Sequence, residues 1–247
     1  MIAIRTAAEL AAMRESGGMA ARVRDAVAAK IAPGVTTLEL SEYAGELMRG
    51  WGGESAFLGY HGYPGIICVS VNEVVVHGIP GSRRIALGDV VSIDVGVRYQ
   101  GFIGDTATTV MVGVTDPAVI KMVTTTQRAL EAGIGAAQAG KRVSDISHAI
   151  EKEATGGGYT VVREFVGHGV GRQMHEEPQV PNFGHPGRGP TLKAGMTLAL
   201  EPMVNMGRPE VAVLEDGWTV VTKDGQFSAH FEHTVAVGDG TAEILTR

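Results

Sequence analysis

Cysteine is nearly absent from this chain. Cys68 is the single one among 247 residues, so no internal disulfide can form, and it stands outside any Cys/His cluster of zinc-ribbon type. A reducing compartment is the expectation. A surplus of positive charge is also missing: 21 Lys and Arg face 27 Asp and Glu, a formal charge of −6. A phosphate backbone rewards clustered Lys and Arg, so this balance argues against a nucleic-acid binder. No apolar run of 18 residues occurs, and Arg5, Glu9, Arg14 and Glu15 interrupt any apolar core of a signal peptide. A cytoplasmic protein with no membrane partner is expected. No Ser/Pro-rich linker divides the chain, and no heptad or apolar stripe marks an oligomer seam, so one domain over residues 1–247 and a monomer are the expectations. With 44% apolar and 19% charged residues, the chain has ample material for a globular core.

Punctuation along the chain is clear. Thr6 with Glu9 and Thr36 with Glu39 are capping boxes. The first opens a run of Leu10, Met13, Ala20, Val23, Val27 and Ile31 at helical spacing, stopped by Pro33-Gly34; the second opens a shorter helix ending near Gly50. A Gly- and Tyr-rich loop fills 52–65. The β-branched stretches 66–71, 90–97 and 102–112 predict strands, and Pro117 with Gly140 brackets a third helix. A fourth helix is expected over 144–155, ended by Gly156-Gly157-Gly158, then strands near 159–163 and around Thr197, Trp218 and Phe231.

Within this pattern lies an internal echo. Gly88-Asp89-Val90-Val91-Ser92-Ile93-Asp94 and Gly195-Met196-Thr197-Leu198-Ala199-Leu200-Glu201 each leave a glycine turn, run up a strand and reach an acid six residues on. Each half adds a second acid on a later strand, Asp105 and Glu232. A duplicated αβ half would set four acids around one axis. With a two-residue loop at Tyr99-Gln100, Val97 pairs with Phe102 and Asp94 stands directly opposite Asp105. Like charges so placed repel, and Ile93, Val95, Ile103 and Ala107 around them offer little solvation. An exposed hairpin with two solvated acids is the alternative to a cation between them. Glu201, in Leu198-Ala199-Leu200-Glu201-Pro202, likewise calls for a partner, because an unpaired buried carboxylate is costly. His168, among Gly167, Gly169 and Gly171, is free to approach a ligand.

Four carboxylates and an imidazole suit a pair of first-row divalent ions, which would bring the charge from −6 to about −2. Few basic residues accompany the acids, which favours hydrolysis of an amide carbonyl over a phosphate ester.

The local sequences around these five positions resemble the methionine aminopeptidase family: Ser92-Ile93-Asp94-Val95-Gly96, Gly104-Asp105-Thr106, Gly167-His168-Gly169-Val170-Gly171, Leu200-Glu201-Pro202-Met203 and Phe231-Glu232-His233-Thr234, in order. The likeness spans nearly the whole chain. It implies the α+β pita-bread fold, two pseudo-symmetric αβ halves with a curved antiparallel sheet. It also implies a dinuclear hydrolase of the short bacterial kind that removes initiator methionine when the next residue is small. Two divalent ions follow, Mn, Fe, Co or Zn, with Asp94 on one, His168 and Glu201 on the other, and Asp105 and Glu232 bridging. His77 and His175 correspond to the catalytic pair, His175 at the oxyanion and His77 at the scissile amide or the leaving nitrogen, with Glu201 as proton shuttle.

The methionine pocket implied comprises Tyr60, Tyr63, Cys68 and Trp218, since aromatics and a soft thiol suit a thioether. Phe57 and Met174 stand where a smaller residue and a Phe are expected, and His230 where Gln is commoner. Asn72, Val74 and Ser228 match a candidate monovalent-cation site. Substrates would be nascent polypeptides bearing N-terminal Met, with the ribosome as a candidate partner. Xaa-Pro peptidases such as prolidase or aminopeptidase P share the fold but usually carry an extra N-terminal domain; non-catalytic modules of this fold lose ligands. His148 and His185 read as structural or solvent-facing.

Overall fold

In the computed structural model, which describes residues 2–247, both capping boxes form. Glu9 N donates to Thr6 Oγ1 (3.3 Å) and Thr6 N to the Glu9 carboxylate (3.0 Å), starting α1 (Ala7–Lys30). The Thr36 and Glu39 pair does the same for α2 (Thr37–Gly50). Two further helices, α3 (Pro117–Ala136) and α4 (Val143–Gly156), belong to the second half. The third helix ends short of the expected Gly140. Residues beyond Ala136 turn aside to bond the chain near Gly238, Ala139 N to Gly238 O at 2.9 Å, a tertiary contact that outweighs helical propensity.

The strands are β1 (Glu54–Ser55), β2 (Cys68–Val71), β3 (Val74–Val76), β4 (Val90–Tyr99), β5 (Phe102–Met111), β6 (Thr160–Val161), β7 (Gly167–Gly169), β8 (Glu176–Val180), β9 (Thr197–Leu200), β10 (Met203–Asn205), β11 (Val211–Val213), β12 (Val220–Thr222), β13 (Ser228–His230), β14 (Glu232–Ala236) and β15 (Glu243–Ile244). A nine-stranded sheet runs β1-β4-β5-β14-β9-β7-β8, with β2 also on β4 and β15 also on β14. Its central four strands place the two echoed halves side by side, joined where β5 meets β14 antiparallel through Glu232↔Ala107 and His233↔Thr106. Gly88 and Gly195, the echoed turns, both take left-handed φ (95° and 86°), open to glycine without steric cost.

Each half has its own core. Val23 and Val27 of α1 and Leu40 and Met48 of α2 pack on Ile93 and Val95 of β4. Met122 of α3 and Ile146 and Ile150 of α4 pack in the same way on Leu198 and Leu200 of β9 and Val235 of β14. Strand alternation then turns Asp94, Asp105, Glu201 and Glu232 to the sheet face opposite the helices.

The hairpin register corrects the expectation. The loop is Gln100-Gly101, not Tyr99-Gln100: Tyr99 pairs with Phe102, Val97 with Gly104 and Gly96 with Asp105. Both loop residues have positive φ (49° and 77°), the type I′ requirement that Gly101 satisfies easily. Asp94 therefore lies opposite Ala107 and diagonal to Asp105. A shift of two keeps both acids on one face, so repulsion between them persists at diagonal rather than direct spacing.

Candidate metal centre and pocket

Five neighbouring elements contribute one donor each: Asp94 on β4, Asp105 on β5, Glu232 on β14, Glu201 just past β9, and His168 on β7. Asp94 and Glu232 both lie opposite Ala107, whose small side chain leaves space between them. Ligand atoms of Asp105, His168 and Glu232 lie within 4.8 Å of one another. His168 Nε2 is 3.7 Å from Asp105 Oδ2 and 3.4 Å from Glu201 Oε1. Asp94 stands outside the tight trio but lines the same cavity. His168 Nδ1 lies 2.9 Å from the Gly169 carbonyl, so its proton is held there and Nε2 presents a lone pair to the acids.

Side-chain bonds to backbone carbonyls fix the acid-bearing segments. Thr234 Oγ1 donates to Asp105 O at 2.8 Å, and Thr106 Oγ1 to Glu232 O at 2.9 Å. Asn182 donates to Glu201 O at 3.1 Å. Asp105 and Glu232 are each only 2% exposed. Asp94 Oδ1, Asp105 Oδ1 and Glu232 Oε1 are buried with no hydrogen-bond partner.

Burial pushes all four carboxyl pKa values up, Asp105 to about 7, and Asp94, Glu201 and Glu232 well above the usual range. Neighbouring acids add to the rise at Asp94, Glu201 and Glu232. His168 is pushed the other way, to about 3, by burial and then by His175, which keeps it neutral and able to ligate. Buried acids with orphaned oxygens beside a neutral imidazole fit divalent cations: positive charge would relieve the repulsion and satisfy the free lone pairs.

The site opens into a cavity of about 220 Å³. Tyr63, Cys68, Phe57 and Met174 form one apolar cluster with Tyr60 and Trp218 packed against it. Tyr63 and Trp218 meet edge to face at 5.1 Å, and the Tyr63 hydroxyl donates to Gly78 O at 3.0 Å. Cys68 pairs across the strand with Asp94, and burial pushes its thiol pKa well up, leaving it a neutral, soft wall. Phe57 lies on Gly96, where any Cβ would strike the ring, so this glycine makes room for the larger side chain. Met174 occupies the wall of the cavity beside His175.

His175 sits at the mouth, its Nδ1 2.7 Å from the Tyr60 hydroxyl and its ring 4.3 Å from that of His168. The protein packed round it, then His61, pushes its pKa down. His77 takes left-handed φ (59°) and meets Phe165 and Trp218 edge-on; burial and His175 push it down to about 4. His230 is buried, its Nε2 unpartnered and 4.0 Å from Glu201 Oε2. His61 and Phe165 also line the cavity, and neither stood out in the sequence. His61, flanked by Tyr60 and Gly62, carries no periodic signal, whereas Phe165 follows a charged pair in a loop. Among the earlier candidates, Asn72 O accepts from Ser228 N at 2.9 Å, and Val74 begins β3. His148 and His185 are exposed and away from the cavity.

Residues 11–239 match the model of metallopeptidase family M24. Methionine aminopeptidase 1 of Bacillus subtilis is 47% identical over 247 residues, covering all of both chains. Methionine aminopeptidase 1 of Mycobacterium tuberculosis is 46% identical, covering 98% of this chain and 94% of its own. The crystal structure of methionine aminopeptidase from Thermotoga maritima superposes with a TM-score of 0.98 at 46% identity, covering 100% of both chains. A prolidase from Pyrococcus horikoshii shares the fold at 21% identity and a TM-score of 0.81, this chain spanning 63% of it. The fold is therefore the pita-bread fold, and the chain belongs to the methionine aminopeptidases of metallopeptidase family M24.

Proposed function

We propose that residues 1–247 form one catalytic unit that removes N-terminal methionine from nascent chains in the cytoplasm as a monomer, when the second residue is small. The observation that carries this reading is the row of five donors on adjacent strands, with orphaned buried oxygens, at the floor of an aromatic and thiol-lined cavity. Asp94, Asp105, His168, Glu201 and Glu232 would hold two divalent ions. Such ions supply Lewis-acid polarisation of the scissile carbonyl and acidification of a water. Mn, Fe, Co and Zn all suit the donor set. A monovalent cation near Asn72, Val74 and Ser228 belongs to the same reading, as does action at the ribosome, where new N-termini emerge.

The chain's own groups divide the remaining work. Glu201, 3.4 Å from His168 Nε2, accepts a proton from the attacking water as a carboxylate and returns it to the leaving amine. With the Tyr60 hydroxyl donating to Nδ1, His175 carries its proton on Nε2 and can donate to the oxyanion. His77 hydrogen-bonds the scissile amide. Tyr60, Tyr63, Cys68 and Trp218 hold the methionine side chain, and the two histidines crowd a bulky second residue.

Burial of methionine in this slot stabilises by roughly 2 kcal/mol, so Met should outrank Ala at the first position by about tenfold or more. Competition among Met-Ala, Met-Lys, Ala-Ala and formyl-Met-Ala peptides tests each clause. Met-Ala should win throughout. Comparable kcat/KM for Met-Lys would remove the steric filter, and efficient cleavage of the formyl peptide would overturn the aminopeptidase reading itself.

A further inference from the structure

The residues just before α1 lie against the start of β9 and reach the turn that carries His175. That turn joins β7 to β8 and is wound on one carboxylate: Arg172 N and Gln173 N both donate to Glu176 Oε1, at 2.9 and 3.2 Å. The other oxygen of Glu176 receives the guanidinium of Arg5. This ion pair is sheltered, with the Arg5 and Glu176 side chains only 7% and 17% exposed.

Arg5 is itself held at three points. Its backbone N donates to Gly195 O at 2.8 Å, and its Nε lies 3.4 Å from Thr197 Oγ1. Thr197 Oγ1 donates in turn to Val170 O at 2.6 Å, at the start of the same turn. Gly171 gives the guanidinium its place, because a Cβ there would collide with it. Arg5 thus ties the beginning of β9, the strand leading to Glu201, to the turn ending at His175.

We propose that Arg5 is a positioning residue for the reaction: through Glu176 it fixes the turn from which the His175 ring reaches the reacting carbonyl. His175 precedes Glu176 directly, so release of that carboxylate frees the backbone on which the ring is mounted. Misplacement of such a group by about 1 Å can cost up to about a hundredfold in rate. The inference rests on the assignment of His175 to the oxyanion.

The test is a double-mutant cycle on the metal-loaded enzyme at matched metal content, with Met-Gly-Met-Met as substrate. Arg5→Met should lower kcat by about tenfold or more with KM nearly unchanged, and Arg5→Lys should recover most of the loss. In a His175→Ala background, adding Arg5→Met should cost less than about twofold, since there is no ring left to misplace. Glu176→Gln keeps an acceptor for the turn but loses the charge, and should reproduce the Arg5→Met pattern even if the latter folds poorly. An equal loss with and without His175, or no loss from either variant, would overturn the positioning role alone. Wild-type kcat in His175→Ala itself would instead overturn the oxyanion assignment, and this inference with it.

Discussion

Stripping divalent metal should cost the protein stability, and the cost should grow with pH. Asp105 sets the scale. Burial moves its carboxyl from 3.8 to about 7, so the metal-free folded state holds a proton that the unfolded chain has released. A carboxyl raised in this way contributes stability at low pH that is lost as pH rises through its folded value. The lowered histidines act in the opposite sense: His168 and His230 at about 3, and His77 and His233 at about 4, add stability as pH rises. This contribution arises from protonation of the unfolded chain, whose histidines titrate near about 6.5, so it is shared by the loaded and the metal-free protein and cancels from the difference between them. The carboxyls decide how that difference changes with pH.

Between about pH 6.5 and about 8, Asp105 alone should lose about 1 kcal/mol, and Asp94, Glu201 and Glu232, also raised by burial, act in the same direction. Bound Mn holds the same carboxylates ionised and compensated, so the loaded protein escapes this loss. At roughly 2–4 °C per kcal/mol for a chain of this size, Asp105 alone should widen the Tm gap between loaded and metal-free protein by about 2–4 °C across that window. Calorimetry of chelator-treated and Mn-loaded protein at several pH values measures the gap. It should widen with pH. A gap that stays constant or narrows would refute the reasoning.

Asp105→Asn and Glu232→Gln should each cut activity by more than about a hundredfold, because under the proposed assignment each change removes an anionic donor from the metal site. Near-wild-type turnover at full metal loading would contradict it. His175→Ala should reduce kcat by about a hundredfold, roughly 3 kcal/mol, with a smaller effect on KM, since an oxyanion contact strengthens as charge develops. Steady-state kinetics on one peptide series distinguishes this from a ground-state role.

Local signals in the sequence carried far where one residue's chemistry decides the backbone. Thr6 with Glu9 and Thr36 with Glu39 start α1 and α2 as the capping boxes imply. The echo from Gly88 and Gly195 anticipates two strands that occupy matching places in the central sheet. Parity also survived the wrong hairpin loop: Asp94 and Asp105 share a face because the error was two residues, not one. Gly101 was the missed cue, since a type I′ turn places positive φ at both loop positions. Other features depend on contacts far apart in the chain. The β5 and β14 pairing, the early end of α3 against Gly238, and the Arg5 and Glu176 pair leave no periodic trace. His61 enters the cavity from the turn at Tyr60–Gly62, where it takes a left-handed φ of 48°, a conformation that a non-glycine residue in a loop does not announce in the sequence.

The site should act as a metal-dependent, methionine-specific aminopeptidase rather than a proline-directed one. Metal-stripped protein titrated with Mn, and assayed on Met-Gly-Met-Met beside an Xaa-Pro peptide, tests it most directly. Activity on the methionine peptide should return as metal is added, and exceed that on the Xaa-Pro peptide by at least about tenfold, the margin the side-chain pocket provides. Preference for the Xaa-Pro peptide, or hydrolysis of the methionine peptide indifferent to chelation, would contradict the account.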